Sequence, residues 1–258
     1  MDSTSDVLIT KEDAAKKLYT DLLIQCLLDN IYGSHDSQNK APATEHQVTE
    51  GNYWPERAHT MIGLKRLKNI EECFLSVVRD NIEGDLIETG VWRGGACIFM
   101  AGLCKAYGEK RKVYVADSFE GLPPPDPQYK HDAKDVHSTY GFLAVSVDQV
   151  KSHFQKYDLL EDNVVFVKGF FETSLVNAGI EKLSILRLDG DMYSSTIQVL
   201  DQLYDKLSVG GYVIIDDYGC LDNCRAAVDD FRAKRAIITP MVAMDWSGMY
   251  WRKEADLI

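Results

Sequence analysis

Two apolar runs of the chain end on paired carboxylates. LRLDGD closes on Asp189 and Asp191, and YVIIDD closes on Asp216 and Asp217. An acid at a strand end commonly caps the helix that follows, but capping explains one acid per strand end, not two. Carboxylates drawn together repel by about 4 kcal/mol per pair at 4 Å with an effective dielectric near 20. Such a set calls for a cation, a basic partner or a shared proton, and hard oxygen donors favour Mg²⁺ or Ca²⁺. We therefore expect Asp189, Asp216 and Asp217 to hold a divalent metal. A metal there acts as a Lewis acid on an alcohol hydroxyl. Asp191, set off by Gly190, is then placed to accept the hydroxyl proton as general base.

A second constellation lies upstream. IETGVWRGGA puts Gly90 directly after an apolar run and Gly94–Gly95 at the start of a helical stretch, where a tight turn meets free N–H groups. Asp117 ends the next apolar run, 27 positions beyond Gly90, where an acid can bond the vicinal hydroxyls of a ribose. That serves any adenosine cofactor. The turn lacks GxGxxG, and Glu88 would oppose a pyrophosphate while suiting an ammonium and a sulfonium. S-adenosylmethionine is thus favoured over NAD.

These residues need elements to position them. Apolar periodicity predicts helices over 11–32 and about 56–80, with a polar, mobile loop over 33–54 between them. Strands follow at 85–90, 112–118, 163–169, 183–191 and 211–217, with helices at 94–108, 145–160, 194–207 and 221–234. Two short strands close the chain. Repeated strand–helix–strand units predict an α/β, doubly wound, Rossmann-like sheet, mostly parallel, with an antiparallel hairpin at its C-terminal edge. Ligands bind such sheets beyond the carboxyl ends of the strands, where all of these acids fall. We expect residues 1–80 to form a helical lid or oligomerisation segment and 81–258 the cofactor-binding domain. The stretch 119–144, with LPPPDP at its core, is longer than ordinary βα connections and reads as a functional lid or a disordered segment.

Composition narrows the partners. The 258 residues are 45% hydrophobic and carry a formal charge of −12, which argues against nucleic acid or an anionic membrane. The N-terminal stretch has no signal-peptide pattern and no run approaches a membrane span, so we expect a cytoplasmic protein. The six cysteines form no CxxC pair, and Cys97 and Cys104 read as core residues.

With these residues in view, the chain resembles the macrocin O-methyltransferase family. YWPERAHTMIGLKRLKNIEECFLSVVRD, GDLIETGVWRGGACIFMAG, VYVADSFEGLP, LRLDGDMYSST and VIIDDYG carry the likeness, in order, across about residues 50–252. The resemblance implies a class I methyltransferase acting on a deoxysugar hydroxyl of a glycosylated secondary metabolite. It implies S-adenosylmethionine contacts at Glu88, Thr89, Gly90, Val91, Trp92 and Arg93, and at Asp117, Ser118 and Phe119. It further implies Gly169, Phe170 and Phe171 at the adenine end, Thr60 and Met61 over the cofactor, and Trp54 at the acceptor mouth. Mg²⁺ on Asp189, Asp216 and Asp217, with Asp191 as base, is implied as well, and so is a homo-oligomer. Residues 33–50 and 123–140 lie outside the likeness. A non-sugar alcohol or phenol acceptor, an NAD-dependent oxidoreductase and a non-catalytic binding module are the competing readings. His131 and His137 read as solvated loop residues and His59 as a structural one.

Overall fold

The structure, a computed structural model, describes residues 10–255. Seven strands form the central sheet: β1 (Asp85–Thr89), β2 (Val113–Asp117), β3 (Val164–Lys168), β4 (Leu183–Leu188), β5 (Leu207–Ile215), β6 (Val242–Ala243) and β7 (Met249–Arg252). Their order across the sheet is 3-2-1-4-5-7-6. The first five pair in parallel, and β7 lies antiparallel between β5 and β6. The doubly wound sheet and its antiparallel edge are as the sequence predicts.

Period-two alternation divides the strand residues between two cores. Leu86, Val113, Val115, Ile185 and Ile214 face one hydrophobic layer; Ile87, Tyr114, Leu186, Val213 and Ile215 face the other. The first layer is closed by helices α1 (Lys11–Leu27), α3 (Gly63–Arg79), α4 (Gly95–Tyr107) and α5 (Val147–Lys156). The second is closed by α7 (Tyr193–Leu203) and α8 (Asp222–Lys234), with the short α6 (Phe171–Ser174) packing Phe171 against it. On α3, Leu67, Ile70, Phe74 and Val77 recur at helical spacing and are fully buried. All six residues of β4 are buried, as expected of a central strand covered on both faces.

Register places the chemistry. Thr89 pairs with Ala116 on one side and Leu188 on the other, and Leu188 pairs with Ile215. The next residue of each strand end, Gly90, Asp117, Asp189 and Asp216, therefore emerges at one level of the sheet. Between β1 and β4 the order reverses, which opens the crevice where such folds bind ligands.

The N-terminal third differs from the expectation. The first helix stops at Leu27, not near residue 32, and α3 begins at Gly63, not at 56. Residues 33–54 are not a loose loop. His35–Asp36 pairs antiparallel with Ala41–Pro42, and α2 (Glu45–Glu50) follows. Thr44 and Gln47 form a reciprocal capping box, and Gly51 ends the helix in the left-handed region. The sequence TEHQ carries that S/T-x-x-E/Q signature, so the signal was present. Residues 119–144 are likewise folded, with 3-10 turns at Lys130–Asp132, His137–Thr139 and Gly141–Leu143. Among the described residues no helix is long and apolar enough to cross a membrane.

Candidate active site

A cavity of about 490 Å³ opens at the carboxyl ends of the strands, within the size range of small-molecule sites. Its floor is acidic. Asp189, Asp191 and Asp217 offer oxygens that all lie within 4.8 Å of one another. Gly190, between the first two, also lines the cavity, and Asp191 holds a left-handed backbone at φ 58°. For an L-residue this conformation is strained, and it turns Asp191 back toward its neighbours. Its N–H points at the Asp217 carboxylate, at 3.4 Å.

Asp216 stands apart from that trio. The sequence grouped it with Asp189 and Asp217; in the structure its two oxygens take Arg66 Nη1 and Arg187 Nη2. Asp216 and Asp217 both line the cavity, but adjacent residues leaving a strand turn their side chains apart, and only Asp217 joins the trio. Arg187 is fully buried in β4 and also donates to Glu88 and, at 3.0 Å, to Asp189. Arg66 completes its pairing on Asp245 Oδ2 at 2.7 Å. Sequence reading missed both guanidiniums. An arginine in the middle of the apolar run LSILRL was the available sign, because a charge is buried there only if paired.

Glu88 also differs from the expectation. It lines the cavity, but its carboxylate takes Arg187 on one oxygen and the Cys97 thiol on the other, at 2.9 Å. It is already paired within the protein, so its charge does not by itself select a sulfonium over a pyrophosphate.

The balance of charge remains negative. Glu88, Asp189, Asp191, Asp216, Asp217 and Asp245 face the two guanidiniums of Arg66 and Arg187. Burial, then the neighbouring carboxylates, hold Asp189 and Asp217 well above the ordinary carboxylate range. Burial pushes Asp191 up to about 6; His137 opposes this and Asp216 and Asp135 reinforce it. The donors are hard oxygens only, close together and short of positive charge. They fit a divalent cation of the Mg²⁺ type.

The other side of the crevice fits a nucleoside. Asp117 lines the cavity, accepting the Val91 N–H on Oδ2 and the Phe119 N–H on Oδ1, each at 2.7 Å. The Ser118 hydroxyl also approaches Oδ1, at 3.4 Å, and Oδ2 keeps a lone pair for a ribose hydroxyl. Thr60, Met61, Gly90, Val91, Trp92, Ser118, Phe170, Phe171 and Trp54 line the same cavity. Four expected contacts lie outside its lining. Thr89 is buried and donates its hydroxyl to the Arg187 carbonyl. Arg93 donates to the carbonyls of Glu56 and Ala58 and covers the Trp92 ring at 4.1 Å. Phe119 is buried against Phe166, and Gly169 donates its N–H to the Asp117 carbonyl. They shape the wall from behind.

Gly90 serves the backbone as well as the cavity wall. It holds φ +85°, and a Cβ there would lie 1.7 Å from the Asp189 carbonyl oxygen. Gly90→Ala is therefore expected to destabilise by at least about 2 kcal/mol and to displace Asp189. Denaturant melts and Mg²⁺ titration check this; unchanged values for both would contradict the packing argument.

Residues 33–54 supply cavity residues that the sequence reading left unassigned, among them Asp36, Gln38, Asn39 and Tyr53. His137 lines the cavity too, its Nδ1 held by Asp135 Oδ2 at 2.9 Å. His131 instead stacks on Tyr193 at 4.9 Å. His59 shares a hydrogen bond with the Tyr157 hydroxyl at 2.7 Å, a structural contact. The loop that carries His131 and His137 is anchored by buried Asp132. That carboxylate accepts the N–H groups of Tyr193 and Ser194 at the N-terminus of α7, at 2.7 and 2.8 Å, where a negative charge is favoured.

Comparison with known proteins shows the family. Residues 6–253 match the family model described as Macrocin-O-methyltransferase (TylF). The chain is 45% identical over 244 residues to the demethyldecarbamoylnovobiocin O-methyltransferase of Streptomyces niveus, across 92% of this chain and 93% of that protein. It is 42% identical over 248 residues to the mycinamicin III 3''-O-methyltransferase of Micromonospora griseorubida, across 93% and 97%. The structure of the O-methyltransferase NovP superposes with a TM-score of 0.90 at 44% identity, covering 93% of this chain and all of that one. The calicheamicin methyltransferase CalS11 shares the fold, with a TM-score of 0.56 at 19% identity. The chain belongs to the macrocin O-methyltransferase family and is an S-adenosylmethionine-dependent O-methyltransferase.

Proposed function

We propose that this enzyme methylates a hydroxyl of a deoxysugar on a glycosylated natural product, with Mg²⁺ held at the ends of β4 and β5. The observation that carries this reading is the carboxylate trio on the floor of the cavity that Asp117 and the Gly90 turn also line. Asp189 and Asp217 would hold the metal; Asp216, the third ligand expected from the sequence, lines the same cavity but already takes Arg66 and Arg187, so it would serve only through a remaining lone pair. When bound, Mg²⁺ supplies Lewis-acid activation of the acceptor hydroxyl.

The residues have separate tasks. Asp117 bonds the donor ribose, while Thr60, Met61, Gly90, Val91 and Ser118 enclose the donor and Phe170 and Phe171 cover its adenine. Fixing donor and acceptor in line is the main source of rate in a displacement. Asp191 takes the acceptor's proton as the new carbon–oxygen bond forms and the carbon–sulfur bond breaks. Its position near 6 on the pH scale suits a base that must be ionised at neutrality and still basic. The sugar faces the polar wall of Gln38, Asn39 and Asn52, with Trp54 at the mouth. A rhamnosyl substrate is also named for a relative from Streptomyces olivaceus, 43% identical over 248 residues, the 8-demethyl-8-(2,3-dimethoxy-alpha-L-rhamnosyl)-tetracenomycin-C 4'-O-methyltransferase.

Two further readings accompany the first. Residues 33–62 contribute to the cavity wall, which supports the N-terminal segment as a lid. Leu18 and Leu22, largely exposed on α1, support a homo-oligomer. The test of the function is a panel of deoxysugar glycosides and matched free alcohols and phenols, read as mass gain of one methyl group. Transfer to the free phenols or alcohols alone would replace the sugar reading.

A further inference from the structure

The rim of the cavity carries aromatic rings that the proposed chemistry leaves unused. Tyr140 and Phe142 lie nearly parallel, centroids 5.8 Å apart and planes 17° apart. Phe142 meets Trp54 edge to face at 4.5 Å, and His137 closes on Tyr140 at 5.4 Å. Trp54 and His137 both line the cavity, so the run continues its wall outward. Yet Tyr140 is 38% exposed and Phe142 48%. Single exposed rings need no explanation; a contiguous run beside a cavity marks a binding surface.

The run is held in place. Trp92 Nε1 donates to the Phe142 carbonyl at 3.0 Å, and the Leu143 N–H donates to the Tyr140 carbonyl at 2.9 Å. Upstream, Asn223 on α8 ties Asp135 at 3.1 Å. Rings fixed before a ligand arrives cost little ordering on binding.

Size determines what reaches them. A cavity of about 490 Å³ suits one drug-sized ligand, and a nucleoside donor plus one sugar ring together amount to that. With Trp54 at the mouth, as proposed above, the remainder of the acceptor leaves beside Phe142, which meets Trp54, and the faces it then meets are flat. Flat π faces gain from offset stacking on another flat ring; a puckered saturated ring gains only contact area.

We propose that Tyr140 and Phe142 determine acceptor specificity by stacking on a planar aromatic aglycone. This rests on the reading of the acceptor as a glycoside. Neither ring touches the reacting groups, so the effect belongs to acceptor affinity.

The test is calorimetry on the enzyme loaded with S-adenosylhomocysteine and Mg²⁺. Two glycosides of one deoxysugar are compared, one with a naphthyl and one with a decahydronaphthyl aglycone. The native enzyme is expected to bind the naphthyl glycoside about tenfold more tightly. Phe142→Leu, which keeps apolar bulk but removes the flat face, and Tyr140→Ala should each shrink that preference while S-adenosylhomocysteine affinity stays unchanged. Equal binding of the two glycosides by the native enzyme, or an undiminished preference in both variants, overturns the proposal. Preferential binding without methylation of either glycoside supports the stacking role and overturns the sugar-acceptor reading instead. Methylation of both with no preference does the reverse.

Discussion

Asp191→Asn is expected to lower the rate of the chemical step by roughly 10²–10⁴-fold while leaving donor binding intact. The substitution keeps size and removes the ability to take a proton, so the loss belongs in kcat. The pH profile adds a second readout. Because burial first, and nearby acids next, push Asp191 up to about 6, the ionised fraction, and with it the rate, rises with pH through that region. A bound cation beside it draws this limb to lower pH, and in the variant the limb should vanish. The same variant decides how the acids share the metal. Retained Mg²⁺ affinity leaves Asp191 outside the ligand set, with Asp216 as the third ligand. A collapse of Mg²⁺ affinity would make Asp191 a ligand and remove it as base.

Chelation should act as strongly. Treatment with EDTA is expected to cut turnover on the order of a hundredfold or more, and added Mg²⁺ to restore it. The fold should survive, because Arg66 and Arg187 pair with Asp216, Glu88, Asp245 and Asp189 and offset two of those charges. Stability in the metal-free state should nonetheless depend on pH in a defined sense. The carboxyl groups of Asp189, Asp191 and Asp217 are all raised above the ordinary value of 3.8. Their contribution is therefore complete below about that pH and is lost as pH rises through the folded values, near 6 for Asp191. Melting temperature without metal should fall over that interval, and Mg²⁺ should remove the slope. Full turnover after chelation, with metal content verified as nil, would take the metal out of the mechanism.

The fold was legible because buried parallel strands read as apolar runs broken by glycine and acid, and five such runs in order leave few topologies. The acids were legible for the same reason: they end those runs, and parallel register carries strand ends to one level. What could not be read was the partition among them. Which of Asp189, Asp191, Asp216 and Asp217 converge depends on Arg187 and Arg66, one placed by a strand and the other by a helix 121 positions earlier in the chain. The segment 33–54 was misread because polar composition was taken as looseness, although Thr44 and Gln47 spelled a helix start. The anchoring of Asp132 on α7 had no local signal at all, since 61 positions separate it from Tyr193.

That anchor has an engineering consequence. Asp132 ends one 3-10 turn and fastens it to the helix that follows β4, while the Phe142 carbonyl fastens the far end to Trp92. The stretch in between can then be treated as a replaceable cartridge, clamped at both ends to parts that chemistry requires. Grafting the interval 138–142 between relatives should transplant a taste for one scaffold or another while Asp135 and His137, which bear on Asp191, stay in place.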